Sequence, residues 1–171
     1  MTKTTCILGF MLSTVVMAET PHLRTELQPL GFLLDACWAG TFPDGVQKDT
    51  HCFKRVFNGQ HIRDVHVVRG GKALYQGETL YSWDGANNTI AYVYWNSLGG
   101  VSTGTATPMA DGIHFPDESY TSPDGQKVVV STRWENITTD GYDSLTVERY
   151  SNGQNKERRL RYHKITETKK P

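Results

Sequence analysis

Three ionisable residues in the first half of the chain have types and spacing that could support acid–base chemistry. Asp64 and His66 are two residues apart, so a β-strand would place both side chains on one face. A carboxylate beside an imidazole can orient it as a general base, and the same spacing also suits an ordinary buried hydrogen bond. Arg55 lies diagonal to Asp64 in the strand register derived below, where it could neutralise a buried carboxylate.

The rest of the sequence offers little support for catalysis. It contains no nucleophile elbow, no histidine-rich metal spacing and no phosphate-binding glycine loop. We therefore expect a protein without a catalytic residue, a metal or a cofactor. An enzyme that uses Asp64 and His66 in proton transfer is kept as an alternative.

Two cysteines flank a turn dipeptide. Asp44-Gly45 favours the positive φ values of a tight hairpin, and a hairpin centred there sets residue i opposite residue 89 − i. Cys37 then faces Cys52, and facing Cα atoms on antiparallel strands are roughly 4.5–5.5 Å apart, which a disulfide tolerates. The sequence predicts a Cys37–Cys52 disulfide, with two unpaired buried thiols as the alternative.

The elements that must position these residues are strands. Nine turn dipeptides punctuate the chain from residue 36 onward, and the segments between them are rich in Val, Thr, Tyr, Trp and Ile. Ten consecutive antiparallel strands form a meander, and closing it removes both exposed edges. We predict an all-β fold, an up-and-down antiparallel meander that closes into a roughly ten-stranded barrel. A short helical segment within residues 20–35 is expected to pack across one end, and a two-sheet sandwich is the alternative.

Residues 1–18 have the pattern of a secretory signal peptide. Lys3 provides a basic start, residues 6–16 are apolar, and Val16-Met17-Ala18 fits the small-residue rule before a cleavage site. The apolar run is shorter than the roughly 20 residues that span a bilayer, so no transmembrane segment is expected; a buried first strand or helix is the alternative. The predicted organisation is a signal peptide (1–18) and one barrel domain (19–171). The predicted location is periplasmic or secreted, where a disulfide persists.

The charge distribution argues against a nucleic-acid partner. The 171 residues include 18 Lys and Arg and 18 Asp and Glu, so the formal net charge is zero. The locally basic segment 156–164 contains Glu157 and follows an acidic strand, which favours a solvated, paired face over a phosphate-binding surface.

The chain has a helical segment, then Trp38-Ala39-Gly40, then a ten-strand meander. This arrangement resembles the calycin superfamily, which includes lipocalins, fatty-acid-binding proteins and nitrobindin-like barrels. The runs CWAGTFPDG, CFKRVFNGQHIRDVHVV, YQGETLYSWD and IAYVYWNSLGG resemble lipocalin-like proteins exported by bacteria. The resemblance implies a barrel with a hollow interior, the lumen, and often a small apolar or amphipathic ligand.

Two departures from these relatives bear on the ligand. Fatty-acid-binding proteins often hold a carboxylate with Arg-x-Tyr on the last strand, and here Leu160 stands two residues before Tyr162. Nitrobindin-like barrels bind haem through a late histidine, and His163 lies in the corresponding region, so haem is a possible cofactor of low probability. The last hairpin, centred on Asn152-Gly153 with residue i opposite 305 − i, pairs Tyr142 with His163 and turns His163 outward.

In calycins a large aromatic residue seals one barrel end, so Trp38 is predicted to point inward. Period-two alternation and the turns at Asn58-Gly59 and Gly70-Gly71 then sort the inward side chains of the next strands. The inward set includes His51, Phe53, Phe57 and Ile62, and the predicted ligand-binding residues are Trp38, Arg55, Asp64, His66, Tyr75, Tyr81 and Trp83.

This mixture of rings and ionisable groups suits a pocket that orients an amphipathic molecule. We therefore expect an exported barrel protein that binds a small apolar or amphipathic ligand in its lumen without catalysis. The alternatives are an enzyme on the same scaffold, a haem-binding barrel that uses His163 or His66, and a structural protein whose lumen is filled.

Overall fold

The computed structural model describes residues 22–121 and 125–165, and these form a closed barrel of ten antiparallel strands. The only helix in these ranges is a short 3-10 helix, Thr25–Leu33. The strands are β1 (Ala36–Thr41), β2 (Lys48–Val56), β3 (His61–Arg69), β4 (Tyr75–Asp84), β5 (Thr89–Asn96), β6 (Val101–Met109), β7 (Gly112–Thr121), β8 (Lys127–Glu135), β9 (Gly141–Tyr150) and β10 (Asn155–Ile165). The predicted all-β meander barrel is confirmed.

Each strand pairs with its neighbour in sequence, and β1 pairs with β10 to close the sheet. Within the described ranges, no helix is long and apolar enough to cross a membrane. The predicted signal peptide, residues 1–18, lies outside the described residues.

The first hairpin has the predicted register. Cys37 pairs with Cys52 across β1 and β2, and a disulfide joins the two residues. The turn is made possible by Gly45, whose φ of 71° lies in the left-handed region, and by Asp44, whose carboxylate accepts hydrogen bonds from the backbone N–H groups of Val46 and Gln47. The next hairpin, centred on Asn58-Gly59, also has the predicted register and sets His51 directly opposite His66 on β3.

The 3-10 helix closes one end of the barrel. A 3-10 helix has three residues per turn, so Leu27, Leu30 and Leu33 lie on one face, and all three are fully buried. The indole Nε1–H of Trp38 donates a hydrogen bond to the carbonyl oxygen of Leu33 at 3.0 Å, which ties the helix to β1. The predicted short helical segment within residues 20–35 is present.

The hairpins at Gly70 and Asn152 differ from two-residue turns. Five residues connect β3 to β4, and the register between these strands is shifted by two residues from that of a two-residue turn. Because two is even, the predicted inward face of β4 is retained. Four residues connect β9 to β10, and residue i lies opposite 304 − i rather than 305 − i. Tyr142 therefore pairs with Tyr162, and the predicted Tyr142–His163 pairing is wrong by one residue. His163 is exposed, as predicted, although on a different pairing.

The ladder between β6 and β7 is the shortest in the described part of the barrel. It consists of the pairs Thr107–His114, Pro108–Ile113 and Met109–Gly112, all beside the hairpin turn. β7 then shifts register between Phe115 and Glu118 in its pairing with β8, at a segment that contains Pro116. Proline lacks a backbone donor, so Pro116 removes one possible ladder hydrogen bond where the register shifts.

Candidate functional site: a histidine–aspartate–tyrosine cluster beside a cavity

Strands β2 and β3 bring two aspartates and two histidines together on the inward face. Asp49 and His51 alternate along β2, and Asp64 and His66 alternate along β3. The pairing of His51 with His66 sets the two imidazole rings 4.6 Å apart, stacked at an interplanar angle of 29°. Four polar side chains thus form one cluster on the inward face of the barrel, where aromatic and aliphatic side chains otherwise predominate.

His51 lies between two carboxylates. Its Nδ1 is 2.7 Å from Asp64 Oδ2 and its Nε2 is 3.1 Å from Asp49 Oδ2. Burial disfavours a charged imidazole, but the attraction of Asp64 and the hydrogen bonds to both carboxylates outweigh burial and raise the pKa of His51 to about 10. At neutral pH His51 is therefore an imidazolium that donates from both nitrogens.

Asp49 is the centre of the cluster. Its Oδ1 lies 3.3 Å from His66 Nδ1, and its Oδ2 accepts a hydrogen bond of 2.9 Å from the hydroxyl of Tyr162 on β10. Burial raises the pKa of Asp49, but the hydrogen bonds from His51 and His66 outweigh burial and hold the pKa far below its usual range. Asp49 therefore stays a carboxylate although its side chain is only 8% exposed.

Tyrosines extend the cluster across the lumen. The hydroxyl of Tyr94 on β5 lies 3.1 Å from His66 Nε2 and also contacts the hydroxyl of Tyr75. Burial raises the pKa of Tyr94 and of Tyr162, so both hydroxyls keep their protons. The cluster thus links β2, β3, β4, β5 and β10.

Gly77 makes room for this arrangement. A Cβ atom at position 77 would lie 2.2 Å from His66 Nε2 and 2.5 Å from the ring of Tyr94, closer than real side chains approach. The absence of a side chain on β4 therefore lets the two rings meet over the sheet.

A cavity of about 140 Å³ adjoins the cluster at Tyr94. Its walls come from β4 to β8 and combine aromatic rings with a few polar groups. The lining residues are Thr79, Tyr81, Tyr92, Tyr94, Ser102, Phe115, Pro116, Glu118, Val130, Thr132 and Trp134. Inside it, the Tyr92 hydroxyl donates a hydrogen bond of 2.8 Å to Glu118 Oε2. This cavity lies beside the short β6–β7 ladder.

The predicted lumen residues divide between three surroundings. Asp64, His66 and Tyr75 belong to the polar cluster. Trp38 is fully buried in the core, and Trp83 is partly buried against that core. Tyr81 is buried in the core and also lines the cavity. It is the only one of the seven predicted ligand-binding residues that does so.

Two predicted inward side chains lie elsewhere. Arg55 forms an ion pair with Asp35, which directly precedes β1, and does not neutralise Asp64. It is near the end of β2, where a long side chain can reach the barrel rim. Phe57 is 70% exposed because β2 ends at Val56 and Phe57 begins the turn with a positive φ of 50°.

The Asp64–His66 hydrogen bond on which the enzyme alternative depends is not formed. Asp64 bonds to His51 across the strand pair, and His66 bonds to Asp49 and Tyr94.

The histidines do not fit the haem alternative. His163 is on the exposed face of β10. His66 lies beside a cavity of about 140 Å³, which is far too small for a porphyrin.

Sequence reasoning missed Asp49, Tyr94 and Tyr162. Asp49 carried a usable signal, since the 89 − i register and simple alternation place it on the same face as His51. Tyr94 and Tyr162 carried none, because their contacts depend on the curvature and closure of the whole barrel.

No protein-family model matches this sequence, and no curated protein is significantly similar to it. The calycin resemblance therefore stays a prediction from short motifs, and function is argued from the geometry of the site.

Proposed function

We propose that the protein is an exported barrel that binds a small apolar or amphipathic molecule in its lumen. The observation that carries the proposal is the cavity of about 140 Å³ between β4 and β8. A cavity of this size accommodates about one aromatic ring, since a pocket of about 150 Å³ lined by apolar side chains can bind benzene.

The chemistry of the walls supports an amphipathic ligand. Tyr81, Phe115 and Trp134 offer ring faces and edges, while Glu118 and Tyr92 offer a hydrogen-bonded polar group. Ligand pockets commonly combine such apolar walls with a small number of polar groups that fix orientation. The favoured ligand is one ring with one hydrogen-bonding substituent.

The Cys37–Cys52 disulfide supports export. Structural disulfides persist in the periplasm and outside the cell and are rare in reducing compartments. Cell fractionation with thiol labelling checks the location, and a reduced protein found in the cytoplasm would contradict export.

The binding test uses phenol as a single-ring amphipathic probe. Ligand-observed NMR and calorimetry should give saturable, one-site binding of phenol to the wild-type protein. Ser102→Phe places a ring into the cavity and should abolish binding, because Ser102 lines the cavity wall. Thr103→Phe is the matched control, since Thr103 is the next residue on β6 and is exposed.

The proposal fails if phenol, benzene and indole all show no saturable binding to the wild-type protein. It also fails if Ser102→Phe binds phenol as well as Thr103→Phe does. Native mass spectrometry of protein isolated from its own cells then identifies the natural ligand by the mass that co-purifies.

A further inference from the structure

We propose that Asp49, His51 and His66 form a binding site for one divalent transition-metal ion of the zinc type. One carboxylate oxygen and one ring nitrogen from each histidine lie within 4.8 Å of one another. The side chains are 8%, 17% and 11% exposed, so the group is mostly buried and an ion can still reach it from solvent.

The donor set favours zinc and similar ions. Two imidazole nitrogens with one carboxylate suit borderline metal ions, whereas calcium and magnesium prefer oxygen ligands alone. Zinc sites with three protein ligands keep a fourth position for water or another small ligand. The proposed site is therefore of the open kind, in which a small molecule can complete the coordination.

The spacing of the donor atoms is close to that of a metal site. Ligands about 2.0–2.1 Å from a tetrahedral zinc ion are roughly 3.3 Å from one another. Asp49 Oδ2 lies 3.1 Å from His51 Nε2, and Asp49 Oδ1 lies 3.3 Å from His66 Nδ1. One donor atom from each of the three side chains lies within 4.8 Å of the other two, so the side chains must move slightly closer together to bind one ion.

The surrounding residues supply the outer hydrogen bonds that metal sites require. With His51 bound through Nε2, its Nδ1–H donates to Asp64 at 2.7 Å. With His66 bound through Nδ1, its Nε2–H donates to the Tyr94 hydroxyl at 3.1 Å. Tyr162 donates to Asp49 Oδ2. Each proposed ligand thus has an outer partner already in place, which is the arrangement that orients metal ligands in proteins.

The charges of the cluster provide a separate argument. Asp49 and Asp64 place two buried carboxylates in the barrel interior. Asp64 Oδ1 is buried and has no hydrogen-bond partner among the described residues. A divalent ion bound between these side chains would lie close to both carboxylates and offset their negative charges.

The first measurement uses the untagged wild-type protein at neutral pH after treatment with a chelator. Calorimetry with Zn²⁺ should show one saturable site per chain, and Co²⁺ should give the visible absorption of a low-symmetry four- or five-coordinate ion. Among the six histidines, only the ring ¹⁵N signals of His51 and His66 should show the shifts of metal-bound nitrogens. This spectrum tests the site without any substitution.

The second measurement uses single substitutions, each checked for folding by circular dichroism. His51→Gln and His66→Gln should abolish the Zn²⁺ site, and His163→Gln, at an exposed histidine on β10, should leave it unchanged. Asp64→Asn should weaken Zn²⁺ binding about 10–100-fold, because it removes the outer partner of His51.

Several results would overturn the metal site. They are the absence of saturable Zn²⁺ or Co²⁺ binding by the wild-type protein, binding that persists in both His51→Gln and His66→Gln, and ¹⁵N shifts confined to other histidines. Any of these leaves the cluster as a hydrogen-bonded network only. Phenol binding in the cavity is measured separately, so the metal site and the ligand cavity stand or fall independently.

Discussion

Substitution of Gly77 by alanine tests whether the polar cluster depends on the missing side chain on β4. An added Cβ would lie 2.2 Å from His66 Nε2 and 2.5 Å from the Tyr94 ring, whereas non-bonded carbon contacts are about 3.5–4.0 Å. The rings must therefore retreat by more than about 1 Å. Since the backbone φ of Gly77 is not in the left-handed region, the effect of the methyl group is steric.

The cost follows from three contributions. Overpacking of a filled interior typically destabilises by about 1–3 kcal/mol. Loss of the 3.1 Å contact between His66 and Tyr94 adds about 1 kcal/mol. Replacing glycine with alanine restores about 0.4–1 kcal/mol through the lower entropy of the unfolded chain. The expected net loss in the free energy of unfolding is about 1–3 kcal/mol.

Urea denaturation followed by tryptophan fluorescence measures this loss. Gly85→Ala is the matched control, because a Cβ there lies 3.7 Å from Trp83 Nε1, an ordinary contact, and it should leave stability unchanged or slightly higher. His66→Ala should relieve much of the Gly77→Ala penalty in the double variant, since the clashing ring is gone.

Two results would refute the steric explanation. One is a Gly77→Ala protein as stable as Gly85→Ala. The other is an equal Gly77→Ala penalty with and without the His66 ring.

Two further predictions concern covalent and electrostatic stabilisation. Cys52→Ala should lower the free energy of unfolding by about 3 kcal/mol, because the disulfide is lost. Mass mapping of the non-reduced wild-type protein should find no free thiol at Cys37 or Cys52. Free thiols at both positions would contradict the disulfide. Asp143→Asn should destabilise by up to about 1 kcal/mol at neutral pH, because burial raises the Asp143 pKa but hydrogen bonds from Asn136 and Arg161 outweigh it and lower the pKa. The stabilisation by Asp143 is present above the ordinary aspartate pKa of about 3.9 and is lost as the pH falls toward the lowered pKa. The free energies of unfolding of the wild-type protein and the variant should therefore converge in acid. A difference that persists in acid would contradict a stabilising role of the Asp143 carboxylate.

The sequence predicted the fold and the inward faces of the first four strands, because the strand registers differ from the predicted ones by zero or an even number of residues. Two hairpins have the predicted register, and the third differs by an even number of residues. Inward and outward residues therefore keep their faces, as Asp64, His66 and Tyr81 show. The register of the last hairpin differs from the predicted one by one residue, an odd number, so Tyr142 pairs with Tyr162 instead of His163.

The contacts of the site were less predictable than its faces. Strand alternation predicts that Asp64 and His66 lie on the same face. It does not predict their hydrogen-bond partners, which are His51 and Asp49 on the neighbouring strand. Arg55 illustrates the same limit, because a residue near a strand end can turn its long side chain to the rim. Tyr162 reaches Asp49 only through barrel closure, which no local pattern encodes.

The pairing of β1 with β10 has a consequence for the order of folding. Every other ladder joins strands adjacent in sequence, whereas closure joins Gly40 to Tyr162 and Cys37 to Ile165, more than 100 residues apart. Long loops cost more entropy to close and form late, so the hairpin of β1 and β2, with its cysteines 15 residues apart, can form and oxidise long before its other edge finds a partner. Until β10 arrives, β1 presents an open edge that another chain could pair with, which makes completion of the last strand the step that protects a folding molecule from aggregation.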